Sequence, residues 1–168
     1  KTSEGFRFAA IGVRYNIETK TNFDEIQLPQ HTQYEVNLSD KVNNFCLKKM
    51  EEMGINKDDN FVCVHVRDNA YKNDSGRRNQ DYNLSVRNSD INNYKQTILY
   101  LLDKNYWVIR MGQSAEKKLE INHPKFIDYP FSQFKNHCLD LYLVKNCKFI
   151  ICTQSGLQSL AMLFEKPV

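Results

Sequence analysis

Two cations, a histidine and a hydroxyl-rich helix start fall at the ends of apolar runs in this chain. They stand as His65-Val66-Arg67-Asp68, Arg110-Met111-Gly112 and Thr153-Gln154-Ser155-Gly156. If those runs are parallel strands, all three groups face one crevice, because loops converge at the carboxyl edge of such a sheet and helix N-termini turn free N–H groups inward. The collection suits a phosphorylated ligand. Arginine grips phosphate in a bidentate fork, and Ser155 with the backbone N–H groups from Gly156 onward would take the remaining oxygens. Each residue also has a plainer reading. Ser155-Gly156 could be an ordinary helix cap, Arg110 could pair with Asp128, His65 could be a satisfied core histidine, and Arg67 could pair with Asp68.

The elements that must position these residues follow from periodicity. Asn37-Leu38-Ser39-Asp40 offers caps for a helix over roughly 40–53, with Val42, Phe45, Cys46, Met50 and Met53 at helical spacing and Gly54 closing it. Phe61–Val66 is β-branched and almost wholly apolar, the mark of a strand buried on both faces. Ser89 is placed to cap a helix over 90–104. Strands are expected at Tyr106–Arg110, Lys125–Tyr129 and Lys148–Cys152, a helix between Asn136 and Asn146, and a last helix over Gly156–Glu165. The alternation predicts an α/β fold, a Rossmann-like doubly wound parallel sheet, over residues 37–168.

Residues 1–36 read as a linker or the remnant of a preceding domain, with Phe6–Val13 their one plausible strand before the polar stretch Asn22 to Tyr34. The closing Lys166-Pro167-Val168 reads as the start of a further strand, so the domain is expected to be truncated at its C-terminus. The connection Asp68 to Ser89 far exceeds the usual 2–6 residues. It carries Tyr71, Lys72, Arg77, Arg78, Tyr82 and Arg87 around the turn signal Asp74-Ser75-Gly76. A basic lid over an anion and a solvated loop are both open readings, and Arg87, nearest the next helix, is its strongest site candidate.

Composition and absent motifs narrow the chemistry. The chain has 168 residues, of which 23 are Lys or Arg and 20 are Asp or Glu, a net charge of +3 that does not point to nucleic acid as a partner. Five cysteines, Cys46, Cys63, Cys138, Cys147 and Cys152, lack CxxC spacing and read as reduced thiols of a cytoplasmic protein, with no metal site. There is no run long enough for a membrane span and no signal-like start. The sequence has no GxxxxGK[ST] loop, no GxGxxG after the first strand and no GxSxG elbow. It has no Asp-x-Asp pair to hold a divalent ion on a diphosphate, so arginines and helix dipoles would meet that charge.

Several ordered blocks carry a resemblance. Phe61–Tyr71, Arg87–Tyr94, Tyr106–Gly112, Asp140–Leu143 and Cys147–Leu157 together resemble a family of bacterial glycosyltransferases of surface-polysaccharide synthesis, over most of residues 35–168. The resemblance implies the C-terminal, donor-binding half of a two-domain GT-B fold. It implies no cofactor beyond a nucleotide-diphosphate sugar as substrate, and a glycan or lipid-linked acceptor. The acceptor domain would be missing, and this piece would be inactive alone. A more distant similarity is to the inverting fucosyltransferases, with their His-x-Arg-Arg strand end. It implies that His65 and Arg67 touch the nucleotide and its β-phosphate, that Asp140 bonds the base, and that Ser155 meets the diphosphate. Here the second arginine is Asp68, so the diphosphate role carries over and the sugar identity does not.

The implied catalytic pair is therefore Arg67 and His65, with Arg87, Arg110, Gly112, Asp140, Thr153, Ser155 and Gly156 around the donor. Action at the inner face of the membrane is an expectation only for a lipid-linked acceptor. Two other functions remain open from the sequence: a nonenzymatic nucleotide or sugar binder, including half of a split enzyme, and a nucleotide-sugar 2-epimerase.

Overall fold

A computed structural model describes residues 37–70 and 87–168. The expected strand over 6–13, the polar stretch after it, and Tyr71, Lys72, Asp74-Ser75-Gly76, Arg77, Arg78 and Tyr82 lie outside the described residues. The chain divides into Lys1–Glu35 and Val36–Val168, and every element below belongs to the second unit.

Helix α1 spans Asp40–Glu52 and buries Cys46 and Met50. It ends as a Schellman motif. The Gly54 N–H donates to the Glu51 carbonyl, the Ile55 N–H donates to the Met50 carbonyl at 2.9 Å, and Gly54 sits at φ +84°. Strand β1, Phe61–His65, then enters the core. Its alternating side chains feed two clusters: Phe61 and Cys63 join one, Val62, Val64 and Val66 the other. Val62 and Val64 are fully buried, and removing such a side chain from water stabilises the fold by about 1.5–3 kcal/mol each.

After β1 come a 3₁₀ turn at Ile91–Tyr94 and helix α2, Lys95–Asp103. The expected cap shifts by one residue. Asp90, not Ser89, accepts from the Asn92 N–H, because the buried Ile91 has to open the turn while the Ser89 N–H donates to the Arg67 carbonyl at 3.0 Å. Strands β2, Trp107–Arg110, and β3, Phe126–Asp128, follow, then a 3₁₀ turn at Tyr129–Phe131 and helix α3, His137–Asn146. Strand β4, Ile150–Cys152, and helix α4, Gly156–Leu163, complete the order. Lys148 and Phe149 lie just before the β4 ladder, yet already exchange backbone hydrogen bonds with Phe61 and Cys63.

The sheet is wholly parallel with order β3-β2-β1-β4. Helix α2 covers the Val62 and Val64 face, whereas α1, α3 and α4 contribute to the Cys63 face. Two covered faces on a parallel sheet make this a Rossmann-like α/β domain. Strand order runs outward from β1 to β2 and β3, then returns to place β4 on the other side of β1. That reversal opens a crevice at the carboxyl ends of β1 and β4, where open α/β sheets hold ligands.

Candidate functional site

The crevice is built by backbone ties between strand ends. The Thr153 N–H donates to the His65 carbonyl at 3.0 Å, and the Met111 N–H donates to the Val64 carbonyl at 2.7 Å. The Arg67 N–H donates to the Thr153 hydroxyl at 2.8 Å. Thr153 therefore anchors the loop that carries Arg67. Because the Ser89 N–H returns to the Arg67 carbonyl, Arg87 is delivered to the same place. Partial burial, and after it the neighbouring Arg87 charge, holds the Arg67 guanidinium below its usual range. Among the described residues, neither arginine forms an ion pair with a carboxylate. Asp68 does not quench Arg67 either. Its two oxygens accept from the Ala70 N–H at 3.0 Å and the Glu116 N–H at 2.9 Å.

His65 shares the Cys63 face by strand parity and packs under the loop after β2. Its Nδ1 lies 3.1 Å from the Met111 carbonyl. A carbonyl can only accept, so Nδ1 carries the proton and Nε2 presents a lone pair. Burial is the largest influence on the ring and holds its pKa below 6.5, outweighing the Met111 carbonyl. Gly112 makes this approach possible. It sits at φ +146°, and a Cβ there would meet the Ser114 carbonyl oxygen at 3.3 Å and Pro130 at 3.4 Å.

Asp140 lies in the first turn of α3 and is bonded by the Gln113 side-chain amide. Burial raises its pKa, and its Oδ1 is buried with no hydrogen-bond partner among the described residues. The Ser114 and Ser155 hydroxyls are likewise buried and without a partner among the described residues. Ser155 is the N-cap of α4 but makes no capping bond with its side chain, and Gly156 beside it faces open space. Unsatisfied buried polar atoms at a sheet's carboxyl edge are the places where a ligand completes the hydrogen bonding.

Arg110 stands apart from this group. It lies on the α2 face of β2, is 1% exposed, and is opposite Asp128 in the β2–β3 register. Its Nη1 donates to the Lys117 carbonyl at 2.8 Å and to Asp128 at 3.2 Å. The pairing with Asp128 is the arrangement the structure shows, and it engages Nη1 and balances the charge that a phosphate would need. Gln113 and Ser114 carry no signal in the sequence, since a glutamine and a serine after a strand have no pattern of their own. The glycine before them was the available signal.

The crevice thus holds His65, Arg67, Arg87, Gly112, Asp140, Thr153, Ser155 and Gly156 on adjoining loops, with cationic and hydroxyl groups on the β1–β4 side and an acceptor carboxylate toward α3. Among the described residues no helix is long and apolar enough to cross a membrane. No family model, curated protein or solved structure matches this chain, so its chemistry is read from these residues alone.

Proposed function

We propose that this domain binds the diphosphate of a nucleotide sugar and serves as the donor half of a GT-B glycosyltransferase. The transfer would run to a glycan or lipid-linked acceptor in bacterial surface-polysaccharide synthesis. One observation carries the reading: among the described residues Arg67 and Arg87 lie close together at the switch-point edge with no carboxylate ion-paired to either, and the Ser155 hydroxyl of the same edge is buried without a partner. Two uncompensated guanidiniums repel each other, and an anion between them removes that cost.

In the reaction, the acceptor hydroxyl oxygen bonds to the anomeric carbon as the bond from that carbon to the diphosphate oxygen breaks. The electron pair leaves with the diphosphate, and the hydroxyl proton passes to a base on the acceptor side. Charge grows on the leaving group in the transition state, which is where Arg67, Arg87 and the α4 N–H groups act. Asp140 would read donor groups of the nucleoside.

The test is a thermal-shift and calorimetry panel of UDP, GDP, CDP, dTDP and their sugar conjugates, with and without Mg²⁺. One nucleoside diphosphate is expected to stabilise the protein. Arg67→Ala should weaken it by about 1.5–3 kcal/mol, the scale of lost charge-assisted hydrogen bonds. A folded Arg67→Ala protein with unchanged affinity removes the diphosphate from this crevice.

A further inference from the structure

A second cavity lies beside the crevice, on the α2 face of the sheet. It has a volume of about 250 Å³ and lies between the loops after β1 and β2, with Asn88, Asp90, Glu116 and Lys117 on its walls. Its floor is apolar, from Val66 and Ile91. Asn88 follows Arg87, and the neighbouring wall residue Asp68 follows Arg67, so the cavity adjoins the two segments that carry these arginines.

The Asn88 side chain supplies the informative atom. Its Nδ2 donates to the Asn69 side-chain oxygen at 2.7 Å, while its own Oδ1 is buried with no partner among the described residues. Exchanging the two ends of the amide would still leave one polar atom unmatched. Leaving a buried amide oxygen unmatched is costly, and a ligand group able to hydrogen-bond would recover that cost.

The lining selects among ligand classes. Asp90 accepts from the Asn92 N–H at 2.9 Å and from Lys117 at 2.7 Å, and Asp68 is filled by two backbone N–H groups. Glu116 has no ion-pair partner among the described residues. An anion here would face three carboxylates against the one Lys117. A metal ion would need a cluster of three or more His, Cys, Asp or Glu, and none is formed among the described residues. An apolar ligand would leave Asn88 unmatched. Hydroxyl groups fit, since each donates to one oxygen and accepts from another group, and the Val66–Ile91 floor matches the apolar face of a sugar ring.

We propose that this cavity is a sugar subsite, with Asn88 and Glu116 as its hydroxyl-binding residues. The proposal rests on the diphosphate reading of the adjoining crevice and names where a sugar lies relative to it. The ring belongs either to the donor or to the acceptor glycan, which share this chemistry.

The experiment is an amide-resolved NMR titration of the 168-residue chain with three probes: sodium pyrophosphate, methyl glycosides of common hexoses and N-acetylhexosamines, and the matching nucleotide sugars. Glycosides or nucleotide sugars are expected to move the Asn88 side-chain amide and the Glu116 and Lys117 backbone amides. Asn88→Leu and Glu116→Gln should each weaken sugar binding at least fivefold and leave pyrophosphate affinity unchanged. Glu116 is exposed, so its variant keeps the test sound if Asn88→Leu does not fold. Response to glycosides alone assigns the ring to the acceptor, and response to nucleotide sugars alone assigns it to the donor. Absence of movement at these amides with every sugar overturns the subsite even when pyrophosphate binds. Pyrophosphate that fails to bind overturns the diphosphate reading instead.

Discussion

The proton on His65 decides what that residue can offer a ligand. With Nδ1–H fixed on the Met111 carbonyl, the free nitrogen accepts a hydrogen bond and adds no charge to the crevice. Because the folded pKa lies below 6.5, the unfolded chain binds the proton first as pH falls. Stability is therefore full above that value and is lost as pH drops through and below it. Urea unfolding at pH 7.5 and 5.5 should show a larger loss for the native protein than for His65→Gln. Asp140 has the opposite sign. Its raised pKa means the folded state holds a proton more tightly than the unfolded chain, so its contribution falls as pH rises above 3.8. At neutral pH, Asp140→Asn is expected to raise the melting temperature while it changes the preference among nucleotides. A lowered melting temperature with an unaltered nucleotide profile would refute both halves.

At the scale of elements, parity sorted the candidates that spacing alone had grouped. The apolar runs and their flanking helices were legible, because a strand buried on both faces and an amphipathic helix leave different periods in the sequence. Which face a strand-end residue takes depends on register. Odd-numbered β1 residues point to α1, α3 and α4, so His65 joins the crevice, whereas Arg110 follows Val108 to the α2 face. The same limit hid the Asp90 cap, since Ser89 and Asp90 are equally good caps until Ile91 needs burial. Arg110→Met should cost about 3–5 kcal/mol by leaving the Asp128 carboxylate buried without its partner, and adding Asp128→Asn should recover part of it. A double-mutant cycle in urea measures this. Gly112→Ala, at φ +146° and against the Ser114 carbonyl, should cost about 1–3 kcal/mol and disturb His65 with it. An unchanged His65 imidazole NMR signal in that variant would separate the loop from the ring.

For the domain as a whole, β1, like β2, is enclosed by two other strands and supplied with apolar neighbours on both faces. Its amides should exchange with solvent only on global unfolding, and those of β4 and α4 much sooner, which hydrogen-exchange mass spectrometry resolves. Helix α4 supports that ranking, with Ala161 its one buried residue and Met162 65% exposed. The central position of β1 also has a consequence in biosynthetic time. Of the described strands β4 leaves the ribosome last, and at about 5–20 residues per second the segment between His65 and Ile150 takes on the order of ten seconds to appear. Through that interval one edge of β1 is bare, and the Thr153 anchor for Arg67 does not yet exist. A ligand of the proposed kind thus has no formed crevice to enter during synthesis, and cannot act as a template for the sheet.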